Sequence, residues 1–267
     1  MSLAVSTQLY DAGRIGQIWA LVEKLQDEKI GIEIFPEFNL PCFEDLLQEE
    51  LPRLAGRAIS FHGPYWGIEP CVLPTDPAFQ IFMEQWGKTL AYARDLGAEY
   101  VVYHLYNAHF SACEREEKRR LAFGTLPYIR EMAAEYGVKL ALENTETSRS
   151  EGENLLTQQE FIDLARSLED MAVLIDTGHV ACAGWNMAEL IGALSDKIVG
   201  YHLHSNDGKQ DIHCRILGGT VDMEAFAAAA REHTPHAIFT LEYNPRLGIT
   251  DEEVCADIAW LKARGLG

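Results

Sequence analysis

Five separated stretches of the chain end an apolar, β-branched run on a residue able to bind a metal or carry a proton: Tyr-Val-Val-Tyr-His104, Leu-Ala-Leu-Glu143, Val-Leu-Ile-Asp176, Ile-Val-Gly-Tyr-His202 and Ile-Phe-Thr-Leu-Glu242. A short apolar run bounded by turn-forming residues reads as a strand buried on both faces, as in a parallel sheet covered by helices. An ionisable group at the end of such a strand is costly to desolvate unless it is paired or bound to a metal. Gathered on the C-terminal rim of a closed barrel, the five would converge on one polar mouth, where barrel enzymes keep their chemistry.

The rest of the chain repeats the same alternation. Strand-like runs fall near residues 3–9, 30–35, 58–62, 99–105, 138–143, 171–176, 197–203 and 236–242. Between them apolar residues recur at helical spacing, as in Ile15, Ile18, Trp19, Val22 and Leu25, or Phe79, Phe82, Met83, Trp86 and Leu90. Eight such units in 267 residues predict an α/β fold, a (β/α)8 TIM barrel, with residues 1–267 as a single domain. No Pro/Ser-rich linker interrupts the alternation. Gly31, Gly97 and Gly137 stand where helices would end on left-handed caps. The longest connections, 63–77 and 205–222, follow the third and seventh strands and so belong to the same rim as the ionisable residues.

Composition narrows the function. Lys and Arg number 22 against 41 Asp and Glu, a formal charge of −19, which repels a phosphate-rich polymer over most of the surface and disfavours nucleic acid as a partner. The one basic triplet, Lys118-Arg119-Arg120, lies in a segment of alternating sign that reads as a solvated helix face. The six cysteines form no CxxC pair and read as reduced packing residues. No apolar stretch approaches the roughly 18 residues of a membrane span, and Met1-Ser2-Leu3 runs straight into the first strand-like run, so a cytoplasmic location is expected.

Taken singly, a strand-terminal carboxylate is often a helix N-cap and a lone histidine is often a satisfied core residue. Taken together, Glu143, Asp176, His202 and Glu242 form a coherent set of three carboxylates and an imidazole. Mixed oxygen and nitrogen ligands of this kind suit Mn2+, Zn2+, Co2+ or Mg2+. A second tier follows: His62 and His104 end the third and fourth strands, His179 comes three residues after Asp176, and Asp211 and His213 form an Asp-x-His pair in the loop after the seventh strand. The remaining histidines, His109, His204, His233 and His236, read as structural or solvent-exposed. Tyr65-Trp66, in the loop after the third strand, would suit an aromatic lid over a substrate. Gly218-Gly219-Thr220 offers backbone N–H groups for a phosphate or is simply a turn.

In strand order, Leu142-Glu143-Asn144-Thr145, Ile175-Asp176-Thr177-Gly178-His179, His202-Leu203-His204-Ser205-Asn206-Asp207-Gly208 with Asp211-Ile212-His213, and Leu241-Glu242-Tyr243 resemble the xylose isomerase-like TIM-barrel superfamily. That superfamily includes sugar isomerases, sugar epimerases and endonuclease IV. Its sugar-enzyme branch implies one divalent ion on Glu143, Asp176, His202 and Glu242, and a sugar or sugar phosphate substrate. Glu143 and Glu242 would act as acid and base on opposite faces of that substrate, through a metal-stabilised enediolate, with His179 bonding a substrate hydroxyl. The endonuclease IV branch implies those four ligands plus His62, His104, His179, Asp211 and His213 around three zinc ions, acting on abasic DNA, and all nine positions are filled. Ser205 departs from the Asp that relatives commonly carry there. The charge of −19 favours the sugar isomerase or epimerase. Alternatives are the phosphodiesterase, a hydroxy-keto acid dehydratase and a catalytically silent homologue, the last opposed by retention of every ligand. A homo-oligomer is left open.

Overall fold

The computed structural model describes residues 2–145 and 153–267. Eight strands close into a parallel barrel in chain order: β1 (Ser2–Ser6), β2 (Gly31–Ile34), β3 (Ile59–Phe61), β4 (Val101–Tyr103), β5 (Leu140–Glu143), β6 (Ala172–Asp176), β7 (Ile198–Leu203) and β8 (Ile238–Leu241). Closure comes from β1, which pairs with β2 on one side and β8 on the other. The outer ring contains α1 (Ile18–Leu25), α2 (Phe43–Leu54), α3 (Pro77–Leu96), α4 (Arg115–Tyr136), α5 (Gln158–Ser167), α6 (Thr177–Ala183), α7 (Met187–Leu194), α8 (Met223–His233) and α9 (Asp251–Ala263). No described helix is long and apolar enough to cross a membrane.

Every strand expected from the sequence forms, with three local departures. The first run is cut short: β1 stops at Ser6, whose hydroxyl caps a 3-10 turn over Thr7–Leu9. Gly97 and Gly137 are left-handed helix caps as expected (φ 65° and 69°), but Gly31 is not. It opens β2, where an added Cβ would lie 3.0 Å from the Ala58 carbonyl, and α1 instead ends on Gln26 at φ 51°. Finally, α6 begins directly at the end of β6, because the Asp176 carboxylate accepts the His179 N–H and caps it.

Strand alternation divides the apolar residues in two. One face packs against the helices in a large core; a small separate cluster of Tyr100, Val102, Ala141 and Leu174 fills the inside of the barrel. Above that plug the interior turns polar, with Glu33, Ser60, His202 and Thr240 at most 2% exposed. Register sets the level of the rim: Asp176 pairs with His202, and Leu203 with Leu241, so the ends of β6, β7 and β8 arrive together.

Gly200 makes room for the plug. A Cβ there would sit 2.4 Å from the Tyr100 hydroxyl, which makes no hydrogen bond among the described residues. Gly200→Ala should therefore cost about 1–3 kcal/mol by overpacking, and Tyr100→Phe, which removes the clashing oxygen, should restore most of that loss in the double variant. Urea unfolding of the two single variants and the double variant checks this; strictly additive losses would contradict the contact.

Candidate metal centre

All nine ligand candidates reach one concave site at the C-terminal rim. His62 and His104 follow β3 and β4, Glu143 and Asp176 end β5 and β6, His202 lies near the end of β7 and Glu242 follows β8. His179 enters from the first turn of α6, and Asp211 and His213 descend from the long loop after β7. Their ligand atoms, with those of His204, fall into five overlapping groups within 4.8 Å: His62, His104 and Glu143; Glu143, Asp176 and His202; His62, His202 and Glu242; Asp176, His204 and Glu242; and His179, His204, Asp211 and His213.

The histidine rings are oriented by oxygen acceptors. Nδ1 of His62 meets the Gly63 carbonyl at 2.7 Å, that of His179 the Asn144 carbonyl at 2.8 Å, and that of His213 the Glu242 carbonyl at 3.3 Å. Nδ1 of His104 meets Asn107 Oδ1 at 3.1 Å. These oxygens only accept, so the contacts place a proton on Nδ1 and turn Nε2 toward the centre, where that of His104 meets Glu143 Oε2 at 2.8 Å and those of His179 and His213 meet Asp211 Oδ2 at 3.1 and 3.0 Å. Outer hydrogen bonds of this kind fix the tautomer and direction of a metal-binding imidazole.

His202 is turned the other way. Its Nδ1 lies 3.3 Å from both Glu143 Oε2 and Glu242 Oε2 without forming a hydrogen bond to either, and Nε2 likewise makes none. A buried imidazole with neither nitrogen satisfied calls for a ligand. Bonds of about 2.0–2.2 Å to a tetrahedral ion separate neighbouring ligand atoms by roughly 3.3–3.6 Å. The 3.3 Å spacings from His202 Nδ1 to Glu143 and Glu242 are those of neighbouring ligands on one ion, and Asp176 has a ligand atom within 4.8 Å of Glu143 and His202.

Charge is balanced within the centre. Burial opposes ionisation of Glu143, but His104 and His202 override it and hold its carboxyl well below the usual range. Burial dominates at Glu242, reinforced by Glu143 and Glu33, and despite His202 and His213 its pKa is pushed up to about 8. Burial disfavours the His202 cation, yet Glu242, Glu33 and Glu143 together raise its pKa well above the ordinary value. His213 is likewise pushed up to about 9, Asp211 outweighing burial. His62 goes the opposite way, lowered by burial and by His104.

The cavity above has a volume of about 510 Å³, within the range of small-molecule sites. Glu143 and Glu242 line its floor, while Asp176 and His202 sit beneath it. Tyr65 and Trp66 form one wall with Phe35: the Tyr65 ring lies 4.9 Å from Trp66, 5.7 Å from His104 and 6.2 Å from Phe35. Asp11 and Glu37 stand at the mouth, and Arg246 is the only Lys or Arg among the described lining residues.

For two features the structure selects between the alternatives the sequence offers, and some residues of the site carry no signal in the sequence. His204 is neither exposed nor peripheral: it is fully buried, its Nε2 is 2.9 Å from Asp176 Oδ2, and its ring stacks on His213 at 3.7 Å. Gly178 permits this, since a Cβ there would lie 2.0 Å from His204 Cε1. His109, His233 and His236 are exposed as expected. The Gly218-Gly219-Thr220 turn is not a phosphate cradle. The N–H groups of Gly218, Thr220 and Val221 are already bonded to Arg215 O, Asn206 O and Ser205 Oγ, and the turn does not line the cavity. Ser205 thus holds its own loop instead of a ligand. Among the missed residues, Asn144 exchanges bonds with the Asp176 backbone at 2.8 and 3.2 Å, and Glu33 faces His202 from below.

Comparison with known proteins agrees with the fold. In its fold the chain is similar over its whole length to a D-tagatose 3-epimerase-like protein (TM-score 0.78, 21% identity, 100% of this chain and 98% of the other). It is similar over the same extent to the IOLI protein, described with a binding zinc atom (TM-score 0.76, 18% identity, 100% and 98%). In sequence it is 28% identical over 138 residues to the uncharacterized protein MJ1311 of Methanocaldococcus jannaschii, and the match spans about half of each chain (49% and 46%). The family description "Xylose isomerase-like TIM barrel" matches residues 29–264, and the chain belongs to that family.

Proposed function

We propose that the chain is a divalent-metal-dependent isomerase or epimerase of a small sugar or sugar phosphate. The observation that carries this reading is the meeting of Glu143 and Glu242 at one nitrogen, His202 Nδ1, each 3.3 Å away, beneath a cavity of small-molecule size. Glu143, Asp176, His202 and Glu242 would hold the ion, which when bound supplies a Lewis acid for a carbonyl and the hydroxyl beside it. Proton transfer falls to the two glutamates, one removing the carbon-bound proton and the other, or the same one, returning it. Tyr65 and Trp66 would pack on the C–H face of the substrate and exclude water. Similarity to a D-tagatose 3-epimerase-like protein supports the reaction class, and a zinc atom in the IOLI protein supports the metal. The six free cysteines support a cytoplasmic setting.

A second reading, a phosphodiesterase with up to three zinc ions, is favoured by one observation. His62, His104 and Glu143 on one side, and His179, Asp211 and His213 on the other, flank the inner set with Glu143 shared. The charge of −19 and the single arginine at the cavity oppose a polyanionic substrate. Metal analysis of the purified chain separates the two: about one ion per chain supports the isomerase, whereas about three, mainly zinc, with cleavage of an abasic-site duplex, supports the phosphodiesterase.

Glu143→Gln and Glu242→Gln should each lower turnover of a ketose panel by about 10²–10⁴-fold, the range of a lost acid or base, with the fold intact by circular dichroism. Near-normal turnover in either variant would contradict the assignment.

Metal affinity should also depend on pH beyond the range of free imidazole. A group with a raised pKa keeps its proton until the pH passes that value, and the ion must displace it. His202 is raised well above its ordinary value and Glu242 to about 8, so affinity measured against a competing chelator should continue to rise from pH 7 to pH 9. A plateau above about 6.5, where free histidine has already lost its proton, would show that these couplings are not present.

A further inference from the structure

Glu33 belongs to no ligand group and does not line the cavity, yet its side chain is fully buried inside the barrel. It lies on β2, in register with Ser6 and Ser60. The Ser60 hydroxyl donates to Oε2 at 3.1 Å. The other oxygen, Oε1, makes no hydrogen bond and lies 2.9 Å from His202 Nε2. An acceptor left open in the interior is costly, so its aim at this nitrogen needs a reason.

The other histidines supply a contrast. His62, His179 and His213 direct Nδ1 at backbone carbonyls and His104 directs it at an amide oxygen. Among the described histidines, only His202 has its Nδ1 between Glu143 and Glu242 and its Nε2 against the carboxyl group of a residue outside the nine ligand candidates, Glu33; His179 and His213 instead have Nε2 against Asp211.

We propose that Glu33 is the positioning residue of the metal centre: its carboxylate accepts the proton of His202 Nε2 and thereby fixes Nδ1 as the metal-binding nitrogen. With the proton held on Nε2, the Nδ1 lone pair points to where Glu143 and Glu242 meet. The charge behind the ring also makes Nδ1 a stronger donor, which a carbonyl does less well. Ser60 acts one step further out by orienting the Glu33 carboxylate. The inference rests on the metal reading above, because a carboxylate–imidazole pair has this effect only if an ion takes the inner nitrogen.

The test uses the full chain stripped of metal and titrated with Co2+ against a chelator, with the visible Co2+ spectrum recorded. Glu33→Gln keeps an acceptor oxygen but removes the charge; it should weaken Co2+ binding by about 10–100-fold and shift the visible bands, with the metal-free variant still folded. Ser60→Ala should weaken binding less. If Glu33→Gln does not fold, Glu33→Asp keeps the charge but withdraws it from Nε2, and the same loss of affinity and spectral shift are expected. Wild-type affinity and spectrum in a folded Glu33→Gln or Glu33→Asp variant would overturn the proposal. A wild-type chain that binds no Co2+ would instead overturn the metal reading itself, so the two failures are distinguishable.

Discussion

Carboxylates and imidazoles cannot be held out of water at spacings near 3.3 Å unless positive charge is shared among them. At the centre of this barrel Glu143, Asp176 and Glu242 crowd around His202, all at most 2% exposed. The raised pKa of His202 meets part of that demand with a proton, and a divalent ion at its Nδ1 would displace that proton, supply the charge and satisfy a nitrogen that no described residue bonds. Much of the surrounding architecture serves to keep these groups in place. Asn144 ties the end of β5 to β6, Thr177 Oγ1 bonds the carbonyls of His202 and His204, and Asp176 both caps α6 and receives His204.

Barrel closure makes this crowding possible. Parallel pairing delivers strand ends to one rim, and the register between β6, β7 and β8 places their terminal residues at one height. The apolar plug around Tyr100 and Val102 supports the polar layer from beneath, while helices seal the outside. The site is therefore built mainly on rigid strand ends, with one loop, carrying Asp211 and His213, closing over it. That division suits a centre whose inner ligands must not move and whose outer residues meet the substrate.

The strands and the gathering of their ionisable ends were legible because an apolar run that ends on an ionisable residue fits little except a buried strand delivering a charged group to a shared site. Glu33 was not legible. In Gly31-Ile32-Glu33-Ile34 it looks like the solvent-facing member of an alternating strand, and only closure of the barrel turns that face inward. For His204 the sequence left a structural and an exposed position open, and the structure selects the first: α6 starts at once after Asp176, and the histidine is buried against that carboxylate. The Gly218-Gly219 stretch likewise left a phosphate cradle and a plain turn open, since a sequence carries no sign that Ser205 and Asn206 will occupy the amides of Val221 and Thr220.

The proposed chemistry of this barrel depends on one point in space, where His202 Nδ1 lies 3.3 Å from each of the two glutamates. Diffraction from crystals grown with Zn2+, recorded on both sides of the zinc absorption edge, locates bound metal directly. An anomalous peak is expected about 2.0–2.2 Å from His202 Nδ1 and from carboxylate oxygens of Glu143, Asp176 and Glu242, whether or not further peaks accompany it. A structure with zinc only elsewhere, or with His202 Nε2 turned to the centre in place of Nδ1, would contradict a metal centre built on these four residues.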